Sequence, residues 1–178
     1  MMRIFRRLAS NSEGAAAAEM AMTLPIFLIL FFACFELGYY FFSEHLVQKS
    51  VRDAARYAGR LPSSNFDCSS STVNATAVQQ IQRVAKAGDP DGDWNNDGTQ
   101  DQRLGGWTAD TMTIVTLACD TDTTHLYVNK GIFIDFPNGV PVVTVRAVVP
   151  YPTLFNRIGL GTATLNLNAQ SQAAVFGA

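Results

Sequence analysis

Oxygen-bearing side chains alternate through residues 89–104, DPDGDWNNDGTQDQRL. Asp93, Asn95, Asp97, Thr99 and Asp101 occupy every second position, and Gly98 stands where a sharp turn is needed. A hard cation needs such a set, and the order matches the first nine positions of an EF-hand-type calcium loop. A second register starts from Asp89, Asp91 and Asp93. Counted from Asp93, the twelfth position is Leu104, where the calcium loop carries a bidentate Glu. Asp, Asn and Gly are equally the residues of a solvated turn, so a weak calcium site and a plain turn both stand as readings.

Other reactive side chains are few. Cys34 lies inside an apolar run and reads as a small apolar residue. Cys68 and Cys119 fall outside it, and in an oxidising compartment they form a natural disulfide pair, the alternative being two free thiols. His45 and His125 are far apart in sequence, with no Gly-x-Ser-x-Gly elbow, no metal-binding His pair and no phosphate-cradling glycine loop. The expectation is a non-enzyme without a cofactor, calcium aside. A net charge of −2 gives no basic field for nucleic acid. Asn74 opens an N-A-T sequon, which has meaning only where a glycosyl transferase meets the chain.

These residues depend on elements that the hydrophobic pattern delimits. Residues 1–14 are short, basic and polar, and residues 15–42 are apolar. As a helix the apolar run is about 42 Å long, more than the roughly 30 Å of a bilayer core. Arg3, Arg6 and Arg7 precede it, so the positive-inside rule puts the N-terminus in the cytoplasm and the rest across the membrane. Pro25 removes a backbone donor and crowds the carbonyl of Ala21, which predicts a bend near residues 21–25, with Thr23 or a neighbouring helix to satisfy the freed group. Val47, Val51, Ala54, Ala55 and Ala58 continue at helical spacing to about Tyr57, before Gly59 and Pro62. Val78, Ile81, Val84 and Ala85 predict a short second helix stopped by Gly88.

From Thr111 the period becomes two. Residues 111–119, 124–128, 131–136, 141–149 and 163–176 read as strands, with Pro-Asn-Gly at 137–139 a turn signal. The fold class is therefore α+β. A long transmembrane and amphipathic helix precedes a small exported domain, residues 61–178, with one short helix and a mostly antiparallel sheet.

Glu19 remains to be explained, because a carboxylate at the start of an apolar run is costly. One reading is local: in the first turn the helix dipole favours a negative charge. Another comes from Gly14, Ala15 to Ala18 and Glu19 taken together. A short charged leader, a Gly, and a Glu fifth after it before an unbroken apolar helix resemble the type IV pilin class. Leu24 with Pro25, Glu36 to Gly38, and Asp53 to Arg60 narrow the resemblance to the TadE-like family of minor pseudopilins of tight-adherence, Flp-type pili. Two positions depart from the class: Glu13 where Lys or Arg is common, and Met20 where an aromatic is common.

The resemblance implies a pilin-like fold and a bacterial inner-membrane protein with a cytoplasmic N-terminus and a periplasmic or extracellular head. It implies processing between Gly14 and Ala15 by a prepilin peptidase, and incorporation through other pilins and the assembly platform. Glu19 would pair with the freed amine of a neighbouring subunit. Glu36, about 25 Å further along the helix, either meets headgroups and water or contacts a pilus component beside Gly38. The rival expectation is an uncleaved single-pass anchor for a periplasmic binding module, its acidic loop calcium-dependent.

Overall fold

The structure, a computed structural model, describes residues 13–122, 124–125, 128, 130–134, 136, 138–157 and 165–177. Residues 1–12 of the expected leader, Leu126 and Tyr127 of one expected strand, Asp135, Pro137 and residues 163–164 lie outside them.

One helix runs Glu13–Arg60, three residues beyond the expected end. Its backbone contacts divide at Tyr39, so Met1–Tyr39 and Tyr40–Ala178 are separate compact units. In the first unit the helix continues through Pro25. The Thr23 hydroxyl donates to the carbonyls of Glu19 and Met20, in its own preceding turn, rather than to the Ala21 carbonyl that Pro25 leaves. Phe31 stacks edge-on against Phe35 at 4.7 Å. Met20, Leu24, Ile26, Phe27, Leu30 and Phe35 are exposed, so this unit has an apolar surface without a core of its own. Its helix is long and apolar enough to cross a membrane.

In the second unit the same helix buries Ser43, Val47, Ser50, Val51, Ala54, Ala55 and Ala58, a stripe at the 3.6-residue period. The small residues let neighbouring backbone come close. A Cβ on Gly59 would meet the carbonyl oxygen of Ala174 at 2.9 Å, so that approach requires glycine. The Gly59 carbonyl accepts the Phe176 amide, and Pro62 bridges Gly177 in parallel.

Beyond the helix, β1 (Phe66–Asp67) and β2 (Thr72–Val73) form a small antiparallel hairpin. Asp67 shapes its turn: the carboxylate accepts the hydroxyls of Ser69 and Ser70 and the Ser69 amide, and these bonds hold its pKa down at about 2. The second helix spans Ala75–Lys86. Asn74 caps it by accepting the Thr76 amide, which gives the sequon asparagine a structural task. Ala77, Ile81, Val84 and Ala85 are its buried face.

The main sheet has the order β3-β4-β5, all antiparallel, from β3 (Thr113–Asp120), β4 (Val140–Pro150) and β5 (Asn166–Ala174). Central β4 buries Val143, Val145, Ala147 and Val149 on one face and holds its prolines at the ends, where missing donors do least harm. Leu167 and Val175 extend that face.

In their described residues, two expected strands are turns instead. At 124–128 the Asp122 carboxylate accepts the Thr124 amide, its carbonyl accepts the His125 amide, and Val128 bonds back to His125. This Asx turn outcompetes a strand ladder. At 131–136 the chain forms a 3-10 turn over Gly131–Phe133, and Phe136 packs edge-on against Phe133. The turn expected at 137–139 persists in its described part, with the Gly139 amide on the Phe136 carbonyl, but it leads into β4 and joins no hairpin.

A disulfide joins Cys68 to Cys119, tying the β1-β2 turn to the end of β3 across 51 residues. Closing such a loop stabilises the fold by about 4 kcal/mol on the chain-entropy account. We expect Cys119→Ser to lower the unfolding free energy by about 2–4 kcal/mol in urea titration of the detergent-extracted protein. An unchanged midpoint would show that the bridge constrains nothing in the unfolded chain.

Candidate functional site

Two places carry the sequence-derived candidates: the start of the long helix and the acidic loop. Gly14 and Ala15 lie within the first turns of the helix Glu13–Arg60, exposed. Glu19 is four residues after Ala15, one turn along the same face, and is also exposed. Glu36 is half-buried, and Gly38 beside it has open space where a Cβ would stand. The two carboxylates occupy one helix at different heights and are not brought together.

The acidic loop is knitted by its own side chains. Asp93 accepts the amides of Asp97 (3.2 Å) and Gly98 (2.8 Å), one on each carboxylate oxygen. Asn95 also accepts from Asp97, and Asp101 accepts from Trp94 at 2.9 Å. Asp97 accepts the amide and hydroxyl of Thr99, and these bonds, the hydroxyl first, hold its carboxyl below the usual carboxylate range. Gly98 makes the expected turn with φ of +83°. Leu104, where a calcium loop needs its bidentate carboxylate, is 4% exposed and belongs to the core. Among the described residues no three His, Cys, Asp or Glu side chains gather in a metal-holding group. The five candidate residues thus share one loop, and each of the four with a carboxylate or amide side chain accepts a backbone amide of that loop.

The side chains that fix this loop escaped the sequence reading. Arg103 Nη1 lies 3.1 Å from both Ser50 Oγ and Asp53 Oδ2 on the long helix, and its amide donates to the Lys86 carbonyl. The same guanidinium fills the space over Gly88, where a Cβ would meet it at 2.5 Å. Lys86 is buried, with Nζ 2.7 Å from Asp110 and 3.4 Å from Gln100. Trp107 follows, fully buried. A cation on each side of an acidic stretch was the available signal, since Lys86 precedes residues 89–101 and Arg103 follows them.

We expect Arg103→Ala to destabilise the second unit by about 1–2 kcal/mol, because it removes charge-assisted bonds to Ser50 and Asp53. Amide exchange should rise first in residues 89–104. Protection unchanged in that loop would refute the clamp.

No curated protein and no solved structure matches the chain significantly. Residues 14–56 match the family model described as TadE-like protein. The matched segment opens on Gly14, contains Glu19, Pro25 and Glu36, and ends inside the buried stripe. By that match residues 14–56 of the long helix are similar to TadE-like proteins, which is consistent with a protein associated with the Tad pilus.

Proposed function

We propose that this protein is a minor pilin or pseudopilin of a tight-adherence, Flp-type pilus, an assembly part rather than a catalyst. A prepilin peptidase removes residues 1–14, leaving Ala15 as the new N-terminus. The apolar helix lodges in the bacterial inner membrane with its start on the cytoplasmic side, and the exported head primes, caps or decorates the fibre used for surface attachment. The observation that supports this reading is the placement of Glu19: a carboxylate one turn inside the end that cleavage would expose, before the exposed apolar stretch of residues 20–35.

The chemistry follows from that placement. Cleavage creates an α-amine, a cation at membrane pH. In low dielectric an isolated carboxylate and an isolated amine are each costly, and pairing offsets much of both costs. Glu19 of one subunit and the amine of its neighbour would therefore select for helices in assembly register. The exposed apolar surface beyond Glu19 suits either lipid or other pilin helices, which permits transfer from one to the other.

Glu19→Ala tests this directly. It removes a polar group from an apolar helix, so insertion and membrane abundance should stay within about twofold of wild type. Leaving the partner amine unpaired should cut surface pili by at least about tenfold, the consequence of losing a buried pair. Normal piliation in that strain would sink the pairing role and favour an uncleaved membrane anchor.

A further inference from the structure

The two edges of the main sheet are built differently. At the β3 edge the Thr113 carbonyl accepts the Gln82 side-chain amide, Cys119 is tied to Cys68, and Asp120 ends the strand with a charge paired to His125. The β5 edge has none of these devices. Its sequence, NLNAQSQAA, contains no Lys, Arg, Asp, Glu or Pro, and its register with β4 runs through nine residues without a bulge. Natural sheets normally blunt an edge with such charges, prolines or bulges.

Hydrogen-bond phase identifies which groups that edge offers. The Val175 amide donates to Pro141 and the Tyr151 amide to Leu165, bracketing the β4-β5 ladder. In an antiparallel pair the bonded positions alternate, so the odd-numbered residues of β5 turn their backbone toward β4. Asn166, Asn168, Gln170, Gln172 and Ala174 turn theirs outward. The Ala174 carbonyl is screened by the close approach of Gly59, and the Asn166 carbonyl accepts the Asn168 side-chain amide at 3.2 Å, which leaves the backbone of Asn168, Gln170 and Gln172 open. Among the described residues no other backbone bonds to them, and all four amide side chains are exposed.

We infer that the β5 edge is a self-association surface, taking β5 of a second copy of this chain antiparallel to itself. A two-fold axis through Ala169 sets Asn168 opposite the partner's Gln170, both open, and Asn166 opposite the partner's Gln172 once the exposed Asn168 side chain releases the Asn166 carbonyl. Each of these pairs exchanges two backbone bonds, and the sheet continues across the axis. Side-chain amides donate and accept at once, so a row of them complements its own copy. With no charge on the strand, nothing opposes like meeting like.

Sedimentation of the detergent-extracted full chain tests the inference. A concentration-dependent dimer is expected. Asn168→Lys combined with Gln170→Lys sets lysines opposite lysines twice and should raise the dissociation constant at least about tenfold. Both positions are exposed, so the melting temperature should hold. Ala169→Cys in a Cys34→Ser background should give a disulfide-linked dimer on mild oxidation, since residues at that axis stand about 4.5 Å apart between Cα atoms. A monomer at every concentration, a dimer indifferent to the lysines, or failure of the Ala169→Cys chain to cross-link would overturn the proposal. Cross-linking of that variant to a different chain alone would assign the edge to another partner and overturn it as well.

Discussion

A carboxylate on an apolar helix has to be near water, near a helix start, or near a cation. Glu19 is the residue on which the functional account turns, because the apolar stretch after it is suited to hydrocarbon and Glu19 is not. While the chain is unprocessed, its position near the helix start makes the charge tolerable through the dipole and the interface. Once the helix leaves the interface, the water that shared in this remedy is gone and the dipole alone remains. In the proposed function a cation carried by another subunit then serves, and cleavage after Gly14 would supply one on every copy. In the proposed function, processing, membrane residence and assembly would in this way answer a single electrostatic constraint.

The second unit meets a different demand with the same helix. Residues 43–58 present Ser, Val and Ala to the core, so close approach takes the place of large side chains. Gly59 lets the end of β5 come against the helix terminus, while Arg103 reaches back to Ser50 and Asp53. Tyr57 donates to Gln80 on the second helix, and Tyr40 packs edge-on against Tyr151 after β4. Each contact fastens a separate part of the head to the helix. The disulfide holds the β1-β2 hairpin, which the main sheet does not include, to the end of β3.

How much of this was legible depended on whether a signal was local. The stripe from Val47 to Ala58 and the alternation in β3, β4 and β5 are periodic, and periodicity survives in sequence. The cysteine pairing was legible from number and compartment. The segments 124–128 and 131–136 misled because apolar alternation there competes with Asp122 accepting its own neighbours and with a 3-10 turn after Lys130. Arg103 went unnoticed because its partners lie 50 and 53 residues away, and no spacing rule connects them. The alternation of Asp93 to Asp101 was visible, but whether those oxygens faced a cation or the loop's own amides depended on backbone geometry.

The most direct measurement is the intact mass, with N-terminal sequencing, of the protein extracted from the membranes of its native host. The account predicts a mature chain that begins at Ala15, with Glu19 as its fifth residue. A chain retaining residues 1–14 would contradict it, since no new amine would then exist for Glu19 to meet.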